Sequence, residues 1–242
     1  MCGLVASIKD PRVQANGSPN GISVDKIKQQ LEKSLELIKH RGPDGSGIWV
    51  SPDGNVALGH CRLAINDLSA NGLQPLASDD GQIHAIVIGT VYCYDALRKE
   101  CQEQHGYRFS SHSDSELVLA LYKAYGAPGF LQHLRGEFAL VLHDGRTDRV
   151  VVARDRFGIK PLFWTELGGR LLVAAEAKAF LGLGWQPRWD VKSLVTSAWE
   201  MEKRTAFRGV SKVLPGEWVD ISAQGVKVQK YWDPEYADKV SD

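Results

Sequence analysis

The sequence predicts an α+β fold, mainly antiparallel and layered. Short apolar or β-branched runs recur along the chain, and most are joined by hairpin-length turns. Amphipathic helical segments enter in groups between these runs instead of alternating with them one for one. No G-x-G-x-x-G follows a predicted strand, and no G-x-x-x-x-G-K-[ST] occurs, so a doubly wound nucleotide-binding sheet is disfavoured. There is no internal repeat or low-complexity tract, and no composition shift marks a domain boundary.

Each element has a local reason. Cys2 to Ile8 is short and apolar and reads as a buried strand. Asp10-Pro11 and the stretch from Asn16 to Gly21 then form a loop. Ser23 is placed as an N-cap, and Ile27, Leu31, Leu35 and Ile38 repeat behind it at helical spacing. His40 to Gly47 is turn chemistry. Strands are predicted at Gly47–Ser51 and Asn55–His60, around the hairpin signal Pro52-Asp53-Gly54. Ile83–Gly89 is a nearly continuous apolar strand, followed by a helix capped by Asp95 and running to about Gln104. A second helix carries Leu117, Leu121 and Tyr125 on one face, with Ser113 or Asp114 as cap and Gly126 as stop.

A short helical turn at Gly129–Leu134 leads into Glu137–His143 and Arg149–Arg154. These two runs are apolar on both faces in places, which predicts a central hairpin. Asp155 to Phe163 is a turn feeding another strand. Gly168-Gly169 then turns the chain into Leu171–Ala175. A helix at Glu176–Leu181 and another near Val191–Trp199 precede strands near Val210–Val213, Glu217–Ile221 and Val226–Tyr231.

Composition narrows the function classes. The 242 residues fit one large or two small domains, and a hydrophobic content of 43% supports a real core. The formal net charge is zero and both signs are interspersed, so no basic stripe points to nucleic acid. Cys2, Cys61, Cys93 and Cys101 show no C-x-x-C spacing, which argues against a zinc or redox motif. No apolar run is long enough to span a bilayer, and the opening run is too short for a signal h-region. A cytoplasmic protein with no membrane partner is the default expectation.

Several residues carry chemistry with more than one reading. If Met1 is removed, Cys2 presents a sulfur nucleophile and its own α-amine as base on one residue. Taken alone, a Cys at position 2 is more often an accident. Arg41 either ties loop groups or faces an anion, and the structural role is the commoner one for a loop Arg. Arg62, between apolar neighbours at a strand end, needs a partner if buried; a substrate carboxylate or an internal acid would serve. Asp114 reads equally well as a plain N-cap. Cys61 and Cys93 read as buried small hydrophobes, and Cys101 as a helix-surface or boundary residue.

Read in order, the motifs converge. They are Cys2-Gly3-Leu4, His40-Arg41-Gly42-Pro43-Asp44, Gly59-His60-Cys61-Arg62-Leu63-Ala64-Ile65, Leu73-Gln74-Pro75-Leu76, Ser113-Asp114-Ser115-Glu116, Arg135-Gly136-Glu137-Phe138-Ala139, the run from Ala153 to Leu162, and the run from Ala174 to Ala179. Each is weak alone. Together, from Cys2 to about Trp232, the chain resembles the class II glutamine amidotransferase domain of glutamine-hydrolysing asparagine synthetases. The resemblance implies an N-terminal-nucleophile hydrolase fold, a four-layer αββα sandwich with two antiparallel sheets. It assigns residues 2–232 to that domain and 233–242 to a ragged tail.

It also implies a site. Cys2 would attack the glutamine side-chain amide with its α-amine as base, forming a thioester and releasing ammonia. Arg62 would hold the substrate α-carboxylate, and Asp114 its α-ammonium. The backbone around Ile65 and Asn66 would line the pocket, and the Gly89 N–H would help form the oxyanion hole. No metal and no cofactor are expected. The ATP-dependent synthetase domain of those enzymes is expected to be absent, so ammonia would pass to a separate synthetase subunit.

Where the family reads Asn-Gly-Glu, this chain reads Ile88-Gly89-Thr90, and Cys93 replaces a later Asn. Ile88 offers no donor, and Thr90 carries no charge. Three readings therefore stay open: an amidotransferase, a catalytically impaired binding module, and an Ntn hydrolase of another amide.

Overall fold

The computed structural model describes residues 2–13, 22–196 and 202–235. Two six-stranded antiparallel sheets stack face to face. The first contains β1 (Gly3–Lys9), β2 (Gly45–Val50), β3 (Val56–Arg62), β8 (Phe163–Leu167), β9 (Arg170–Ala174) and β10 (Val210–Lys212), in the order β10-β8-β9-β1-β3-β2. The second contains β4 (Leu76–Ala77), β5 (Ile83–Val91), β6 (Gly136–Asp144), β7 (Arg149–Arg154), β11 (Glu217–Ser222) and β12 (Gly225–Lys230), in the order β12-β11-β7-β6-β5-β4. The β6–β7 hairpin is central, as its two apolar faces predict.

Three apolar clusters define the layers. Leu4, Ala6 and Ile8 of β1 meet Ile86 and Ile88 of β5 and Ala139 and Val141 of β6 in the gap between the sheets. The alternate residue Val5 turns to the outer side of its sheet, where Ile27, Leu31 and Leu35 of α1 (Val24–Leu37) cover it. Burying each such side chain is worth roughly 1.5–3 kcal/mol, so packing rather than propensity holds this helix. On the far side of the second sheet lie α2 (Tyr94–His105), α3 (Leu117–Tyr125) and α4 (Gly129–His133). Buried faces on both sides of β1, β6 and β7 explain their unbroken apolar runs.

Local signals hold at several ends. The Ser23 side chain accepts from the Lys26 N–H at the start of α1. Gly168 and Gly169, at φ 56° and 75°, supply the left-handed pair that a tight hairpin between β8 and β9 requires. Elsewhere the structure corrects the sequence. Asp95 is not the cap of α2; it lies in the first turn, and Cys93 occupies the cap position at φ 59° without a side-chain bond. That left-handed geometry turns Cys93 outward, so it is exposed, while Cys101 is fully buried against the helical layer.

Ser113, not Asp114, caps the next helical segment, and a 3-10 turn at Asp114–Glu116 precedes α3. α3 is buried continuously from Leu117 to Tyr122 rather than along one face. The segment expected as a helix at Glu176–Leu181 is a 3-10 turn over Ala177–Leu181. α5 covers Val191–Thr196; the remainder of the helix expected to Trp199 and the end of the tail lie outside the described residues.

Candidate active site

The site lies at one end of the gap between the sheets. β1 begins at Gly3, and Cys2 packs its side chain against the gap cluster beside Leu4. The Cys2 Sγ sits 3.3 Å from the Leu63 N–H, which donates to it, and 3.6 Å from the Leu63 carbonyl. The Cys2 carbonyl is held separately: Arg41 Nε donates to it at 3.0 Å, and Arg41 Nη1 donates to Glu176 Oε1 at 2.9 Å. Arg41 is buried, so its role is structural; it anchors the Cys2 backbone to the turn after β9. Burial opposes the charge on Glu176, but hydrogen bonds from Arg41, Lys178 and His40 outweigh it and hold the carboxyl below its ordinary range.

A cleft of about 300 Å³ opens over the thiol. It is lined by Cys2, Arg62, Ile65, Asn66, Gly89 and Asp114, so all six residues singled out from the sequence meet there. Thr90 and Gln74 also line it, as do Glu137 and Lys160. Arg62 lies at the wall with its guanidinium donating to the carbonyls of Ser69, at 2.7 Å, and Asp67. Asp67 ties this loop to the next by accepting the His112 N–H at 2.9 Å; hydrogen bonds, that from Ser69 foremost, keep its carboxyl low. Asp114 is buried. Its Oδ2 accepts the Val91 N–H at 2.7 Å and its Oδ1 accepts from Asn66 Nδ2 at 3.1 Å.

Gly89 has a strand-derived reason to face the cleft. The Tyr92 N–H donates to the Arg135 carbonyl at 2.7 Å, which fixes the alternation of the β5–β6 ladder. Thr90 and Ile88 therefore bond to β6, while Val87, Gly89 and Val91 turn their N–H groups to the other edge. Gly89 sits at φ 115°, and a Cβ there would run into the Glu137 carbonyl. Only glycine fits. Ile88 is buried in the gap cluster into which Cys2 packs.

Sequence reasoning missed a charged pair. Lys160 Nζ donates to Glu137 Oε2 at 2.7 Å, and both line the cleft. Glu137 stands opposite Thr90 in register. Lys160 is presented by a stitched loop: the buried Asp155 accepts the N–H groups of Phe157, Ile159 and Lys160. Both residues lay inside quoted motifs, but nothing local pairs them. Among the described residues, no group of three or more His, Cys, Asp or Glu side chains is arranged to hold a metal. No helix among them is long and apolar enough to cross a membrane.

A sandwich of two antiparallel sheets between helical layers, with a cysteine opening an inner strand, is the architecture of N-terminal-nucleophile hydrolases. A family model described as a glutamine amidotransferase domain matches residues 1–232, and the chain belongs to that family, in its class II, asparagine-synthetase-like branch. The family is one of enzymes.

The chain is 44% identical over 240 residues to "Amidase chry2" of Gibberella zeae, covering 99% of this chain and 35% of that protein. It is 35% identical over 253 residues to a putative glutamine-hydrolysing asparagine synthetase of Mycobacterium tuberculosis, covering 98% of this chain and 38% of that protein. It thus spans just over a third of the length of these relatives. A glutamine phosphoribosylpyrophosphate amidotransferase from B. subtilis shares the fold, with a TM-score of 0.67 at 21% identity over 96% of this chain and 49% of the other.

Proposed function

We propose that residues 2–232 form a glutaminase unit that hydrolyses glutamine to glutamate and ammonia through a Cys2 thioester. The observation that carries this reading is the open Gly89 N–H in the cleft that also holds the Cys2 thiol, Arg62 and Asp114. With Met1 removed, the α-amine of Cys2 takes the thiol proton and the sulfur attacks the side-chain amide carbon. The carbonyl oxygen becomes an oxyanion, and the Gly89 N–H donates to it. Collapse breaks the C–N bond, and the α-ammonium returns its proton to the leaving amine. Water then adds to the thioester, releases glutamate and restores the thiol. Arg62 and Asp114, opposite in charge, take the substrate α-carboxylate and α-ammonium. The freed ammonia passes to a separate ATP-dependent synthetase subunit in the cytoplasm.

The test is glutamate release by protein with a free N-terminal Cys2, together with mass spectrometry after exposure to a glutamine-like electrophile. Expected are turnover, one label on Cys2, and loss of both in Cys2→Ala. An unlabelled Cys2 in protein shown to lack Met1 overturns the reading. A second reading, hydrolysis of a different amide on the same Cys2, is favoured by Ile88 and Thr90 in the cleft region and by relatives named amidases. Labelling by a generic amide-directed electrophile without glutamine turnover would select it.

A further inference from the structure

We infer that Gln74 is a positioning residue for the Gly89 N–H, its side-chain amide standing in for a backbone strand at the edge of β5. This rests on the glutaminase reading for its consequence in catalysis, though not for its geometry. β4 pairs with β5 at Leu76↔Ala85, and the same register carried back would set Gln74 opposite Val87. The backbone does not continue that ladder. Pro75 has no N–H to give, and the Gln74 carbonyl is turned towards β2, where a Cβ on Gly47 would meet it.

The side chain makes the missing bonds instead. The Val87 N–H donates to Gln74 Oε1 at 2.6 Å, and Gln74 Nε2 donates to the Val87 carbonyl at 3.0 Å. That is the two-bond exchange of an antiparallel pair, made by one amide. Gln74 is buried, and His60 Nε2 reaches the same Val87 carbonyl from β3 at 3.1 Å. Burial keeps the His60 imidazole neutral, so its Nε2–H is a donor there and the bond ties the two sheets together.

Four residues beyond Val87, the Val91 N–H is taken by Asp114. Gly89 is thus bracketed. Its neighbours along the edge are pinned at Val87 and Val91, and its own N–H is left facing the cleft. Since Ile88 has no donor to add, the aim of that N–H sets how well an oxyanion is met. A donor that acts only on developing charge affects turnover more than substrate affinity.

The test uses the whole chain and two variants. In the parent, amide hydrogen exchange should be slow at Val87 and Val91 and fast at Gly89. Gln74→Leu should speed exchange at Val87, leave Val91 slow, and lower kcat on the order of 10²-fold with little change in KM. Alkylation of Cys2 by iodoacetamide, which needs no oxyanion donor, should be unchanged. Gln74→Glu can accept from the Val87 N–H but repels the Val87 carbonyl until it is protonated. Its kcat should therefore recover relative to the parent as pH falls.

A protected Val87 amide in Gln74→Leu overturns the inference. So does a rise in KM alone, or a Gln74→Glu pH profile that parallels the parent's. If Gln74→Leu does not fold, the Gln74→Glu profile decides. If the parent turns over no glutamine, the proposed function fails while the exchange pattern still tests the bracketing of Gly89.

Discussion

Ile88→Asn sets a gain in catalysis against a loss in stability, and both sides can be sized. Ile88 is 1% exposed, packed between the sheets with Leu4 and Ala139. Replacing it gives up roughly 1.5–3 kcal/mol of apolar burial and places an amide where unmet hydrogen bonds cost a further ~1–3 kcal/mol. The total, about 2.5–6 kcal/mol, is a large share of the ~5–15 kcal/mol that holds a typical domain. Against this, a second oxyanion donor beside the Gly89 N–H is worth on the order of 10²–10³ in kcat.

The variant should thus be less abundant as folded protein yet faster per folded site. The assay is glutamate release normalised to Cys2 labelling stoichiometry, with urea unfolding run on the same preparation. Folded, fully labelled Ile88→Asn with kcat within about 3-fold of the parent would refute the idea that side chain 88 addresses the oxyanion.

Thr90→Glu should help substrate binding less than its chemistry suggests, because the new carboxylate would stand directly across the strands from Glu137. In a Glu137→Gln background the same change should lower KM further; equal KM values in the two backgrounds would contradict this. Arg41→Met removes the donor to the Cys2 carbonyl and one partner of Glu176, which keeps Lys178 and His40. Losing one member of a buried pair costs ~3–5 kcal/mol, and the retained partners should bring this down to about 2–3 kcal/mol in urea unfolding. Glu176 has a folded carboxyl held below its unfolded range, so its contribution is present above that range and is lost as pH falls through the folded value. Tm should therefore drop on acidification, and less steeply in Glu176→Gln; parallel curves would count against the Arg41–Glu176 anchor.

What the sequence made legible was local. The Ser23 cap, the Gly168-Gly169 turn and the double-faced β6–β7 hairpin each follow from chemistry within a few residues. The meeting of Cys2, Arg62, Asn66, Gly89 and Asp114 in one cleft followed from ordered motifs rather than from spacing. The rest depended on contacts that sequence order hides. Arg41 reaches a carbonyl 39 residues away and a carboxylate 135 residues away. Glu137 and Lys160 pair across 23 residues, and only the shared cleft gives the pair a meaning. Cys93 and Cys101 exchanged their expected environments because α2 starts from a left-handed residue that lacks the usual capping chemistry. Gln74 was visible in its motif, but its work is to imitate backbone, and no side-chain pattern announces that.

The short β4 has a consequence beyond the site. A sheet edge that runs on past its last partner is a strip on which foreign strands can pair, and proteins generally block such strips. Here β4 covers only Ala85 and His84, and the remaining stretch of β5 would be such a strip. A side-chain amide closes it at Val87 and a carboxylate at Val91. What remains is a single glycine's width, too narrow to template a peptide and wide enough for one oxygen. The blocks that guard this protein against adhesion through β5 are thereby the same groups that give its cleft a size limit.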